Sequence, residues 1–120
     1  ELSKYASNAF LATKISFINE MANICERTGA DVEDVSKIMG MDGRIGKYFL
    51  HPGPGYGGSC FPKDTRALVY LADEVGYDLS VVKAVENVNQ FQKEHVLTHV
   101  LNYFGNDLSN KKIAILGLSF

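Results

Sequence analysis

Between positions 2 and 28, apolar side chains recur at three- and four-residue intervals, with no proline and no glycine before Gly29. This spacing predicts one long helix over 2–28, roughly 40 Å at 1.5 Å per residue. Leu2, Tyr5, Ala9, Phe10, Ile15, Phe17, Ile18, Met21 and Ile24 cover more than one stripe of it. A helix apolar round most of its circumference belongs at the centre of a fold or of an interface. Gly29 fits the residue just past its end. Asp31 reads as the N-cap of a short second helix, 32 to about 39, stopped by Gly40. Val35, Ile38 and Met39 give that helix one apolar face.

From 40 to 63 the helical period vanishes, and seven glycines fall between 40 and 58. A loop of this length inside a compact domain is usually functional. A disordered tether is the alternative, but Ile45, Tyr48, Phe49, Leu50, Tyr56 and Phe61 are too many large apolar groups for one. Helix resumes near Asp64 and runs to about 75, with Leu68, Val69, Leu71 and Ala72 inward and Gly76 as its stop. Ser80 reads as the N-cap of a fourth helix, 81 to about 104, whose inward face holds Val81, Val85, Val88, Val96, Val100 and Phe104. After a turn at 106–110, the run 111–117 reads as a buried parallel strand entering a glycine turn, as a nucleotide-binding α/β unit opens. The expected fold is all-α over 1–108, a long central helix with shorter helices packed on it. One terminal β-strand over 109–120 would start a further α/β domain. Such a strand without its sheet invites disorder or stray pairing.

Composition adds limits. The chain has 120 residues, 46% of them hydrophobic, enough for a real core. A net charge of −2 gives no case for nucleic acid or an anionic membrane as partner. No apolar run approaches the roughly 20 residues that span a bilayer. No signal peptide is visible and the two cysteines make no secreted-type framework, so a reduced, cytoplasmic protein is expected. Both ends read as cuts in a longer chain.

The chemistry concentrates at Gly53-Pro54-Gly55-Tyr56-Gly57-Gly58-Ser59-Cys60-Phe61-Pro62-Lys63-Asp64. Cys60 precedes a helix start, where the dipole and free N–H groups favour the reactive thiolate, and Lys63 adds positive charge. The bland alternative is a small residue in a tight turn. Asp64 suits an N-cap, and also a carboxylate that orients water or accepts a proton near the thiol. Lys4 and Asn8 share a helix face; they could stabilise an oxyanion at a carbonyl attacked by Cys60, or merely be solvated. The glycine loop could lay N–H groups against phosphates, helped by Arg44 and Lys47, although it is not a Walker A loop and its G-x-G-x-x-G spacing at 53–58 does not follow a strand, which leaves it a weak signal. His95 and His99 stand at i, i+4, but the metalloprotease pattern is missing and no third ligand is evident, so no metal is assigned. Cys25 reads as an inert packing residue.

The run Gly57-Gly58-Ser59-Cys60-Phe61-Pro62-Lys63-Asp64 resembles the UDP-glucose dehydrogenase family of nucleotide-sugar dehydrogenases. The resemblance extends over 4–17, 29–32 and 42–46, and 112–120 is similar to the opening of that family's third domain. It implies a helical domain similar to the C-terminal domain of 6-phosphogluconate dehydrogenase, within an enzyme that oxidises UDP-glucose to UDP-glucuronate in two NAD-dependent steps. By the same resemblance, Cys60 attacks the intermediate aldehyde to give a thiohemiacetal and then a thioester. Lys4 and Asn8 hold the reacting oxygen, and Asp64 with Lys4 manages water and protons. Phe49, Leu50, His51, Pro52, Gly53 and Gly57 wrap the nucleotide sugar, and Lys63 lies near the NAD cofactor. Arg44 reaches substrate in the partner subunit of a homodimer built on the first helix. A GDP-mannose or UDP-N-acetylmannosamine dehydrogenase shares this layout, and a helical dimerisation module without chemistry is the non-enzyme alternative. NAD would be held mainly by a Rossmann domain outside this sequence, so the chain alone is expected to show no dehydrogenase turnover.

Overall fold

A computed structural model describes residues 1–117. It contains four helices: α1 (Leu2–Thr28), α2 (Val32–Met41), α3 (Phe61–Glu74) and α4 (Ser80–Tyr103). Helix α1 is the axis, and each of the other three packs on it, while α3 also touches α4. The all-helical expectation holds. No strand forms over 111–117, where Ile113, Ile115 and Leu116 are exposed. A strand needs a partner for its N–H and C=O groups, and none exists among the described residues. The rest of the expected strand, 118–120, lies outside them.

Helix α1 ends as its sequence predicts. Gly29 takes a left-handed φ of 76° and its N–H bonds the carbonyl of Cys25 at 2.8 Å. Asp31 caps α2 by accepting from the N–H of Glu33 at 2.8 Å. Gly40 does not stop α2, which continues to Met41. Its lack of a side chain serves packing instead, since a Cβ there would stand 3.0 Å from the Cα of Lys47.

Further expectations are corrected. Helix α3 starts at Phe61, with Cys60 as N-cap, so Asp64 is a first-turn residue and not the cap. Pro62 does not delay the start, because first-turn N–H groups have no intrahelical partner to lose. Helix α4 starts at Ser80 itself, after Leu79, with no side-chain cap. Its expected inward face holds in part, with Val85 buried and Val88, Val100 and Phe104 half-buried. Val81 and Val96 are exposed, and the buried positions are Val82, Val85, Asn89 and Gln92. Leu71 of α3 is likewise exposed at 38%.

The buried face of α1 is built of small groups, Ala9, Ala12 and Ser16, followed by Ile18 and Asn19. Small residues let neighbouring backbones come close, and Ser16 Oγ reaches the carbonyl of Val85 on α4 at 3.3 Å. Ala12, Tyr56 and Val85 form the core cluster, flanked by Ile15 and Phe61. Within this chain α1 is therefore buried on one side only. Phe10, Phe17 and Ile24, spaced by seven, remain 66%, 45% and 50% exposed. No helix among the described residues is long and apolar enough to cross a membrane.

Candidate active site

The site is assembled where the first turns of α1 meet the first turn of α3. Asp64 is fully buried, and its Oδ2 accepts a 2.6 Å hydrogen bond from Asn8 Nδ2. Lys4 Nζ stands 3.7 Å from the same oxygen, and Lys63 Nζ stands 3.6 Å from Oδ1. The Asn8 hydrogen bond, set against desolvation and aided by Lys4 and Lys63, holds the Asp64 carboxyl below its ordinary value of 3.8. Oδ1 has no hydrogen-bond donor and so keeps unused acceptor capacity.

Cys60 is exposed at the N-cap of α3, and its carbonyl accepts the N–H of Asp64 at 2.9 Å. Thiol and carboxylate thus belong to one helical turn. Ser59 Oγ lies 3.8 Å from Cys60 Sγ. Cys25 is buried in α1, as expected of a packing residue. The structure therefore unites Lys4, Asn8, Lys63 and Asp64, with Cys60 beside them. The Lys4 and Asn8 donors, expected to face a substrate oxygen, are directed at Asp64. Asn8 has a second N–H, and Lys4, at 3.7 Å from Asp64, makes no hydrogen bond to it, so both retain donors.

The glycine loop is held by amides that the sequence reading missed. Asn19 Oδ1 accepts the N–H of Gly53 at 2.8 Å, and Gln92 Nε2 donates to the Gly53 carbonyl at 2.9 Å. Asn89 brackets Tyr56, accepting its N–H at 2.7 Å and donating to its carbonyl at 3.0 Å. These are mid-helix amides in an apolar register turned to the loop, and Gln92 also accepts from Asn23 of α1 at 3.1 Å. The one available signal was polar residues at buried spacings, Asn19 one turn from Ile15 and Asn89 one turn from Val85. Gly55, at φ +98°, passes so close that a Cβ would stand 2.6 Å from Asn89 Oδ1. Edge-on contacts of Phe49 and Tyr56 with Phe61, each with centroids 6.0 Å apart, fasten the loop to the start of α3.

The remaining predicted substrate residues are spread more widely. Leu50 is buried at 1% exposure and its carbonyl takes the hydroxyl of Ser36, so its side chain serves the core. Phe49 is partly exposed and holds a left-handed φ of 64°. His51 and Pro52 line a groove of about 750 Å³ with Lys37, Lys47 and Tyr48. Gly57 is exposed, with open space where a Cβ would stand. Arg44 is not brought to Cys60. It pairs with Asp42 at 2.6 Å and lines an apolar groove with Phe10, Phe17 and Ile45. Lys14 holds that turn to α1 through the carbonyls of Ile45 and Gly46.

For a nicotinamide cofactor, the fit is partial. Lys63, 67% exposed at the first turn of α3, offers a cation beside Cys60. The G-x-G-x-x-G spacing at 53–58 follows no strand among the described residues, so it is not the strand–turn–helix that holds a dinucleotide.

Comparison with known proteins follows the same lines. Residues 1–91 match the model of the UDP-glucose/GDP-mannose dehydrogenase family, central domain. The chain is 58% identical over its whole length to UDP-glucose 6-dehydrogenase YwqF of Bacillus subtilis, covering 27% of that protein. It is 53% identical to UDP-glucose 6-dehydrogenase of Rhizobium meliloti, covering 28% of it. A UDP-glucose dehydrogenase structure from the archaeon Pyrobaculum islandicum superposes with a TM-score of 0.84 at 41% identity, over 87% of this chain and 24% of that one. The chain thus spans about a quarter of the length of the relatives it matches. With its helical fold, its Cys60–Asp64 turn and the match over 1–91, the chain belongs to the UDP-glucose/GDP-mannose dehydrogenase family, in its central domain.

Proposed function

We propose that this chain carries the covalent chemistry of an NAD-dependent UDP-glucose 6-dehydrogenase. The observation that carries the reading is the convergence of Lys4 and Asn8 on Asp64, one helical turn from an exposed thiol. The names of the relatives favour UDP-glucose over GDP-mannose as substrate. NAD, when bound, would accept the hydride in each of the two oxidations, and Lys63 is the residue here that would lie beside it. Residues 1–108 form the helical domain of this reading, and 109–120 begin a neighbouring nucleotide-binding domain whose sheet would make a strand of 111–117. As a protein without a spanning helix and with free thiols, it is assigned to the cytoplasm.

The chemistry follows from the groups present. Cys60 sulfur adds to the aldehyde carbon of the half-oxidised sugar, and the carbonyl oxygen takes the electron pair. Asn8 and Lys4, with N–H groups still uncommitted, steady that oxygen. Oxidation of the thiohemiacetal gives a thioester on Cys60. Water then adds to its carbon, the C–S bond breaks, and the thiol regains its proton as the carboxylate leaves. Asp64, buried and ionised with Oδ1 unused, is suited to orient that water. The loop at 49–57, held rigid by Asn19, Asn89 and Gln92, forms the wall against the nucleotide sugar. Arg44, in its separate groove beside the exposed stripe of α1, would serve the substrate of a partner subunit.

The test uses the full-length protein with UDP-glucose and NAD, following both NADH and UDP-glucuronate. Two equivalents of NADH per acid are expected, and Cys60→Ala should form no UDP-glucuronate. Undiminished acid formation by that variant would overturn the covalent role of Cys60.

A further inference from the structure

Far from this site, α4 carries His95 and His99 one turn apart, and the end of α1 brings Glu26 against them. Glu26 Oε2 lies 3.3 Å from His95 Nε2, and Glu26 Oε1 lies 3.4 Å from His99 Nε2. One ligand atom from each of the three lies within 4.8 Å of the others. The third group that the sequence lacked is supplied from 69 residues before His95. The His95 side chain is 17% exposed and its ring stacks on Phe91, with centroids 5.7 Å apart, which restrains its orientation. Glu26 and His99 are about half exposed, so the cluster opens to solvent on one side.

We propose that Glu26, His95 and His99 form a binding site for a transition-metal dication of the zinc class, tying the end of α1 to α4. Two imidazoles and one carboxylate are a donor set that zinc takes. With bonds of about 2.0–2.1 Å, neighbouring ligands of a tetrahedral ion sit about 3.3 Å apart. The observed 3.3 and 3.4 Å are of that size but run to different oxygens of Glu26, so a bound ion would draw one carboxylate oxygen toward both nitrogens. Both distances are longer than the roughly 2.7–2.9 Å of charge-assisted hydrogen bonds. On binding, the ion takes the Nε2 lone pairs, both rings remain neutral with the proton on Nδ1, and water fills the open fourth position. The carboxylate and the dication leave one net positive charge. Copper, nickel and zinc suit these nitrogens, whereas magnesium and calcium, which take oxygen ligands, do not. Glu26 follows Lys4 by 22 residues on the same helix, about 33 Å along its axis, so the site is independent of the dehydrogenase chemistry.

The test is a zinc titration of untagged protein carrying Cys60→Ser, which removes the exposed thiol as a competing ligand. Calorimetry should show one equivalent bound, and zinc should raise the melting temperature where magnesium and calcium do not. Imidazole NMR signals of His95 and His99 should move while those of His51 stay fixed. His99→Ala and Glu26→Gln, both at half-exposed positions that the fold tolerates, should each weaken zinc by more than about tenfold, a loss seen even when outer-shell partners are removed. Unmoved His95 and His99 signals, or either variant retaining the parent affinity, would overturn the site.

Discussion

Asp64 shows how one residue's place in a helix decides its chemistry. As an N-cap it would face solvent; in the first turn of α3 it is turned inward onto Asn8 and Lys4. Its carboxyl is held below the ordinary value, first by the Asn8 hydrogen bond. A group depressed in the folded state contributes stability above its unfolded pKa and loses it as pH falls through the folded one. The melting temperature should therefore drop as pH falls below about 4, the ordinary carboxylate range. Asp64→Asn should flatten that part of the curve, and an unchanged acid limb in the variant would contradict the assignment. The thiols differ by burial. Iodoacetamide followed by peptide mass spectrometry should label exposed Cys60 well before Cys25, which is 6% exposed. Equal rates would favour a structural role for Cys60.

Among the elements, the glycine loop depends on helix side chains more than on its own. Asn89 holds both backbone groups of Tyr56, and Gly55 runs against that amide. Asn89→Ala leaves a buried N–H and a buried carbonyl unpaired, at a cost of about 1–3 kcal/mol for each. Gly55→Ala adds a clash to a backbone angle that L-residues rarely adopt, at about 1–3 kcal/mol. Chemical denaturation measures both, and a Gly55→Ala protein as stable as the parent would refute the close approach. The loop's apolar content was legible as a sign of order. Its anchors were not, because Asn19, Asn89 and Gln92 sit at buried helical positions whose partners lie 33 to 39 residues away. Valines at 81 and 96 look equally fit to face inward, yet both are exposed while Asn89 and Gln92 are buried against the loop.

Across the whole molecule, the unbalanced feature is α1. Its inner face of small residues is closed by α3 and α4, while Phe10, Phe17 and Ile24 stay open on the outer side, where Phe10 and Phe17 line a groove with Met39 and Ile45. We attribute this stripe to pairing with a second copy, which would bury the remaining circumference that the sequence pattern calls apolar. Light scattering at micromolar concentration should give a dimer, and Phe17→Glu should shift it toward monomer, since an unpaired charge in an apolar interface costs several kcal/mol. A monomeric parent protein would refute the pairing.

The sequence by itself determined the four helices, the glycine loop and the turn that carries Cys60 and Asp64. These rest on local rules: the period of apolar residues, the left-handed freedom of Gly29, the side-chain cap of Asp31, and a run of residues specific to one family. Tertiary structure decided which way α4 faces, that Asp64 is a buried ionised group with three partners, that Leu50 serves the core, and that Glu26 meets two histidines. Each of those depends on groups distant in the chain, whose meeting is fixed only when α1 is packed. The strand at 111–117 marks the same boundary from the other side, since an apolar run can propose a strand but only a neighbouring strand can make one.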